Sequence, residues 1–313
     1  MSDPIHDSDS IYHRFFSHPE MVIDLLMAFL PPALLVELDL KGLRRHNTKF
    51  TAMLGQRRRS DVIWEIPTRQ GGSVFLLLIL EFQSDVEQWM ALRVNVYTGL
   101  LYQQLVDERR LNASDGLPPV LAINLYNGDQ RWNAAASVRD LIRLPTGTSL
   151  WNFQPEMQYY TIDEGAYPKE VLEGLPFLSA ILCRMEHPAS PEELVRAGKD
   201  AAEWFEKHPD GPPVKELFRD LLIAGLKKMA IDPLPNIPDK LQEVVMLSAA
   251  RVEKWAMDYE HKGKADMLLD LIQDRFGSVP DWVRPKLFEA DLDTLKRWSK
   301  RIFGAEKIEQ IFQ

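Results

Sequence analysis

The sequence is poor in cysteine. Its 313 residues include a single one, Cys183, which excludes an intrachain disulfide and any metal cluster built from several cysteines. Seven histidines are present, but His6, His13 and His18 lack the helix-borne spacing of zinc ligands with a third partner. This composition suits a reducing compartment, and we expect a cytoplasmic protein.

Long apolar runs are also missing. The longest, "VFLLLIL" at residues 74–80, is far shorter than the roughly 20 residues that a membrane-spanning helix needs. The first residues, "MSDPIHDSDSIYHR", are polar and acidic and lack the apolar core of a signal peptide. We therefore expect neither membrane insertion nor secretion.

Positive charge is scarce as well. Lysine and arginine number 37 against 46 aspartates and glutamates, which gives a formal net charge of -9. Tight, indiscriminate binding to nucleic acid depends on cations that displace counterions, so this balance argues against it without excluding a local basic patch. A phosphate-cradling glycine loop is absent too, because "GQRRRS" and "TRQGGS" lack the required pattern.

What is present predicts an α/β or α+β domain over residues 1–165. "SHPEMVIDLLMAFL" has helical periodicity and opens with Ser17 and Glu20 in capping-box spacing. "SDVIWEI" alternates as a strand does, residues 74–82 are apolar on both faces as in a strand covered on both sides, and "PPVLAINLY" reads as a further buried strand. Helical periodicity between the last two indicates a mixed sheet flanked by helices.

Beyond residue 165 the strand patterns fade. We expect a helical connecting region over residues 166–248 and a small helical domain over residues 249–313. Gly277 follows one predicted helix, and Asp291 is placed to cap the next, "LDTLKRWSKRIF".

One carboxylate stands out within the apolar strand. Glu81 follows "VFLLLIL", where a buried acid is costly unless it is paired or binds a cation. Glu81 and Gln83 share a face of an extended strand, and Asp61 lies on the neighbouring predicted strand, so the two acids could converge. Oxygen ligands of this kind suit Mg²⁺ or Mn²⁺. By spacing alone, the plainer alternative is a pair of solvated acids at strand ends.

Several ordered motifs resemble one family over roughly the first 150 residues. They are "HDS", "FFSHPEMVIDLLMAFLPPAL", "RRRSDVIWEI", "LLLILEFQSDVEQWMALRVNVYTG" and "LPPVLAINLYNGDQRW". In this order they are similar to the Rpn recombination-promoting nucleases, also described as transposases, of the PD-(D/E)XK nuclease superfamily. The segment from "KGKADMLLDLIQDRFG" to "KRWSKRIF" looks like a small helical domain that often follows such nuclease domains.

The resemblance implies a PD-(D/E)XK-like mixed central sheet and a DNA endonuclease that depends on Mg²⁺ or Mn²⁺ and is linked to recombination or transposition. Asp61 and Glu81 would be its metal-binding acids, and Gln83 stands where the superfamily name has lysine. Glutamine can orient a water molecule but cannot neutralise charge. Lys49, Arg59 or Arg93 could supply that charge from nearby.

Four further residues are candidates for the same site. Glu20 and Asp24, four apart on the first predicted helix, could add a metal ligand, although capping is the simpler explanation for Glu20 and solvation for Asp24. Arg93 and Tyr97, also four apart, could contact phosphate, against the alternative of a surface arginine and a packed tyrosine.

A basic cluster directly precedes Asp61. Arg57, Arg58 and Arg59 would deliver cations next to the metal site and are the best local candidates for contacts to the DNA backbone, although an ordinary charged turn is an equal alternative.

Two other functions are compatible with the sequence. The missing lysine and the acidic balance favour a catalytically degenerate nuclease fold that acts as a regulatory or protein-interaction module. Alternatively, the helical second half could assemble a homodimer or dock a partner, although Trp298, Ile302 and Phe303 more simply fill that domain's own core.

Overall fold

A computed structural model describes residues 8–46, 62–81, 85–111, 113–114, 116–231 and 236–313. Of the residues singled out above, Lys49, Asp61, Gln83 and the arginines at 57–59 lie outside this part of the chain. The chain divides into two compact units, Met1–Val245 and Met246–Gln313. The predicted division into three regions, with boundaries at residues 165 and 248, is not tested by these two units and stays a prediction.

A five-stranded mixed sheet forms the centre of the first unit. Its strands lie in chain order, with β1–β2 and β2–β3 antiparallel and β3–β4 and β4–β5 parallel. They are β1 Arg44–His46, β2 Val62–Pro67, β3 Ser73–Glu81, β4 Val120–Tyr126 and β5 Tyr160–Asp163. The turn between β2 and β3 uses Gly71 and Gly72 with φ of +100° and +82°, a backbone region that glycine adopts without strain. The α/β prediction is confirmed.

Helices cover both faces of the strand β3, which is why its sequence is apolar without alternation. Phe75, Leu77 and Ile79 pack in one buried cluster with residues of the helix α4, Met90–Asp107. Leu76, Leu78 and Leu80 are equally buried, and α1, Ser8–Phe15, packs against β3.

The first unit contains further helices among the described residues, including α5, which the sequence reasoning did not predict. They are α2 Pro19–Phe29, α3 Pro32–Leu35, α5 Val138–Leu141, α6 Lys169–Gly174, α7 Leu178–Glu186, α8 Pro191–Lys207 and α9 Lys215–Lys228. The capping box predicted for α2 is wrong. His18 precedes the helix without a side-chain cap, and the Ser17 hydroxyl instead donates to the His13 carbonyl. Proline at the first helical position explains the shift, because it needs no amide partner there.

A glycine within α4, Gly99, does not serve close packing against the sheet. Gly99 is exposed, and a methyl group on its Cα would meet no atom within 4 Å.

The second unit has its own helical core, around α11, Val283–Glu289, and α12, Leu292–Arg301. The helix α10, Leu241–Phe276, precedes them and ends before Gly277, which has φ of +75° as expected of a C-terminal glycine. The Asp291 carboxylate accepts a hydrogen bond from the Thr294 amide, so the predicted cap of α12 is confirmed. Trp298 and Ile302 lie in this core, whereas Phe303 is 75% exposed.

Candidate active site at the carboxyl end of the sheet

Polar residues end three neighbouring parallel strands. Glu81 is the last residue of β3 and pairs in register with Tyr126 at the end of β4. Tyr126 in turn pairs with Asp163 at the end of β5. Residues paired in register project from the same face of a sheet. Two carboxylates and a phenol therefore form a row along this edge, on the face that α4 covers.

Glu81 is buried and ion-paired. Its side chain is 5% exposed, and its Oε2 lies 2.7 Å from Nη1 of Arg93, whose side chain is 10% exposed. The Arg93 Nε donates to the Tyr97 hydroxyl at 3.0 Å, and the guanidinium lies over the Tyr97 ring, 5.3 Å from its centre. The helix α4 thus brings Arg93 and Tyr97, one turn apart, to the predicted metal-binding acid.

Tyr126 and Asp163 are members of the row that the sequence reasoning missed. Asp163 Oδ2 accepts a hydrogen bond from the Trp132 amide at 3.0 Å, and the Tyr126 ring packs against Trp132 with 4.8 Å between ring centres. Burial, then the nearby carboxylates led by Asp163, raises the pKa of Tyr126. The sequence did contain a signal for these two residues, because each of them, like Glu81, is a polar residue at the end of a strand pattern.

Asp24 is engaged elsewhere in the structure. Its carboxylate accepts hydrogen bonds from the Leu178 amide at 3.0 Å and from the Ser179 amide at 2.7 Å, at the first turn of α7. A carboxylate there satisfies amides that have no partner within the helix. Burial raises the pKa of Asp24, and these hydrogen bonds oppose the rise. Glu20 is exposed on the first turn of α2.

The described residues at this site supply only part of the ligand set that Mg²⁺ or Mn²⁺ needs. Carboxylate oxygens such as those of Glu81 are the ligands that Mg²⁺ and Mn²⁺ prefer. Within the described ranges, however, no group of three or more His, Cys, Asp or Glu side chains is arranged to hold a metal ion. A complete ligand set at Glu81 would thus need a residue outside those ranges, such as Asp61.

A family comparison decides what this chain is related to. Residues 6–209, well over half of the chain, match the model of a family described as "Putative transposase, YhgA-like". The chain belongs to this YhgA-like family. The match covers α1, the whole sheet and the helices up to α8, and therefore includes the Glu81 row.

Two curated relatives of this YhgA-like protein are from Escherichia coli (strain K12). One is named "Inactive recombination-promoting nuclease-like protein RpnE" and is 29% identical over 121 residues, 39% of this chain and 39% of the relative. The other is "Recombination-promoting nuclease RpnA", 26% identical over 120 residues, 38% of this chain and 39% of the relative. The resemblance to the Rpn family is confirmed. The chain spans about two fifths of each relative, and no solved structure matches it.

A second polar cluster of the YhgA-like protein lies just past the ends of β4 and β5. The Tyr12 hydroxyl donates to Glu164 Oε2 at 2.8 Å, and the Asn127 amide nitrogen lies 3.2 Å from the Tyr12 hydroxyl and 3.4 Å from Glu186 Oε2. Glu164 is 2% exposed, and burial is the main reason that its pKa rises to about 8. Burial also raises the pKa of Glu186. Glu164 is therefore mostly protonated at neutral pH.

Glu164 of this cluster lines a cavity of about 220 Å³, together with Cys183, His187, Arg184 and other residues. Burial raises the pKa of the Cys183 thiol, so that cysteine is a poor nucleophile at neutral pH. The backbone N–H of Asn127 donates to the backbone carbonyl of Glu81 at 3.1 Å. This hydrogen bond joins the cluster to the end of β3. The sequence reasoning missed the cluster because its members come from four separate segments.

Among the described residues, no helix is both long and apolar enough to cross a bilayer.

Proposed function

We propose that this protein is a divalent-metal-dependent DNA endonuclease of PD-(D/E)XK type that acts in recombination or transposition. The observation that carries the proposal is Glu81, a buried carboxylate at the carboxyl end of a central strand, where the family resemblance expects a metal-binding acid. The name of one relative, "Recombination-promoting nuclease RpnA", and the family description "Putative transposase, YhgA-like" support the same class of reaction.

In this proposal Asp61 and Glu81 hold Mg²⁺ or Mn²⁺. When bound, such an ion lowers the pKa of a nearby water and neutralises negative charge on the phosphodiester. The Gln83 amide would orient the attacking water, whose oxygen bonds to phosphorus as one P–O bond breaks. The water gives up a proton to solvent and the leaving oxygen takes one up, so the products are a phosphate end and a hydroxyl end. The arginines at 57–59 contact the DNA backbone.

Glu20 and Asp24 have smaller parts in this scheme. The hydrogen bonds from α7 give Asp24 a structural role that needs no metal, and the exposed Glu20 is a further ligand only as a prediction. Neither residue is needed for the proposed chemistry.

The experiment is a plasmid-nicking time course with Mg²⁺, Mn²⁺, Ca²⁺ or EDTA. Wild type is compared with Asp61→Asn and Glu81→Gln, and with Glu170→Gln as an exposed-carboxylate control, after unfolding curves have shown that each variant is folded. Nicking with Mg²⁺ or Mn²⁺ that is lost in EDTA and in both site variants is the expected result. Equal nicking by wild type and Glu81→Gln would refute the assignment.

A catalytically degenerate fold that binds a partner is the second candidate. The Arg93 guanidinium already neutralises Glu81 without a metal, and one relative is named inactive. Calorimetry with Mn²⁺ separates the two candidates. If Glu81 binds a metal, wild type binds Mn²⁺ and Glu81→Gln does not. If Glu81 is purely structural, the substitution does not change Mn²⁺ binding. Light scattering of the full chain tests the predicted homodimer.

A further inference from the structure

Among the described residues, Arg93 is a candidate to supply the positive charge that the lysine of the superfamily name would carry. The motif has Gln83 where a lysine stands in the superfamily name, and an amide carries no charge to offset a phosphodiester. Arg93 is a permanent cation, its side chain is 10% exposed, and its Nη1 lies 2.7 Å from Glu81 Oε2. It is therefore a buried cation in direct contact with the proposed metal-binding acid.

A second residue holds this cation independently of Glu81. The Tyr97 hydroxyl accepts a hydrogen bond from Nε at 3.0 Å, and the Tyr97 ring, 1% exposed, lies beneath the guanidinium. Contact between a guanidinium and an aromatic face is favourable, more so when water is excluded. Arg93 consequently keeps its place if the Glu81 carboxylate turns toward an ion.

We propose that Arg93 is a catalytic residue that contacts the scissile phosphate and supplies the charge that Gln83 cannot. A guanidinium suits this role because its planar donors match two phosphate oxygens. In the ligand-free protein the same group neutralises Glu81. The inference rests on the proposed nuclease function.

The proposal predicts opposite effects on metal binding and on cleavage. A cation beside Glu81 repels a divalent ion and competes with it for the carboxylate, so Arg93→Gln should bind Mn²⁺ at least as tightly as wild type. Cleavage should fall about 100-fold or more, as happens when a donor to a developing negative charge is removed. Arg93→Lys keeps the charge and should recover part of the rate, and Tyr97→Phe should reduce it less than Arg93→Gln.

The experiment measures Mn²⁺ binding by calorimetry, unfolding with and without Mn²⁺, and plasmid nicking on the full-length variants. Arg110→Gln is the matched control, because Arg110 also pairs with a strand glutamate, Glu65, on a different strand from Glu81. The expected result is retained Mn²⁺ binding and lost nicking in Arg93→Gln, partial rescue in Arg93→Lys and no effect in the control.

Two outcomes overturn the inference and differ from each other. If wild type nicks DNA, Glu81→Gln does not, and Arg93→Gln nicks at the wild-type rate, Arg93 has no catalytic role while the nuclease function stands. If Arg93→Gln loses both its fold and Mn²⁺ binding and Arg93→Lys restores the fold without any nicking, the residue is structural. Wild type that neither binds Mn²⁺ nor nicks DNA refutes the proposed function itself.

Discussion

Replacing Glu164 by glutamine should remove much of the pH dependence of this protein's stability. Glu164 has a pKa of about 8 in the folded protein against an ordinary 4.5. Between these values the folded chain keeps a proton that the unfolded chain has lost, so the contribution of Glu164 to stability is complete below about pH 4.5 and is lost as the pH rises toward 8. The loss is about 1.4 kcal/mol per pH unit, or about 5 kcal/mol over the whole interval.

Glutamine cannot ionise, and its carbonyl oxygen can still accept the hydrogen bond from the Tyr12 hydroxyl. Glu164→Gln should therefore match wild type near pH 5 and exceed it by several kcal/mol at pH 8. The pKa of Glu186 is raised too, so the variant retains a pH dependence of the same sign from that residue.

The assay is urea unfolding of the full chain at pH 5, 6, 7 and 8, followed by circular dichroism, with the exposed Glu170→Gln as the control. The difference in unfolding free energy between wild type and Glu164→Gln is the measured quantity. A difference that stays constant from pH 5 to pH 8 would show that Glu164 titrates normally and would refute the reasoning. The Glu170→Gln control should follow wild type throughout.

Two glycines should respond in opposite ways to alanine. Gly99→Ala should stabilise the protein by about 0.5–1 kcal/mol in urea unfolding, because a methyl group there meets open space within a helix; a destabilised variant would contradict this. Gly128→Ala should destabilise it, because the new Cβ would lie 2.1 Å from the Tyr126 hydroxyl oxygen and the loop or ring must move. Gly128→Ala with wild-type stability would show that the loop yields without cost.

Local sequence determined the elements themselves. The unbroken apolar run predicted that β3 is covered on both faces, and Gly277 and Asp291 mark the helix boundaries where the structure has them. These patterns depend on neighbouring backbone groups, so a short window of sequence contains the information. The capping box predicted at Ser17 depends on equally local groups but is not formed, because the helix begins at Pro19 and its N-cap is His18, one residue later than predicted.

The placement of Glu81 was also predictable, but its surroundings were not. The sequence shows an acid that ends an apolar strand, whereas only the fold pairs it with Arg93 and sets it beside Tyr126 and Asp163 on neighbouring strands. Parallel strands are joined by long crossover connections, so the sequences of the strands do not by themselves fix which residues lie side by side.

Only the tertiary structure decided how the remaining acids behave. Asp24 was equally compatible with solvent, yet it binds amides about 150 residues away. Glu164 shows no unusual pattern in the sequence, and it retains a proton because burial, followed by the nearby Glu186 carboxylate, raises its pKa against the opposing hydrogen bond from Tyr12. The pKa of a carboxyl depends on the water and charge around it, and distant segments determine both when they pack together.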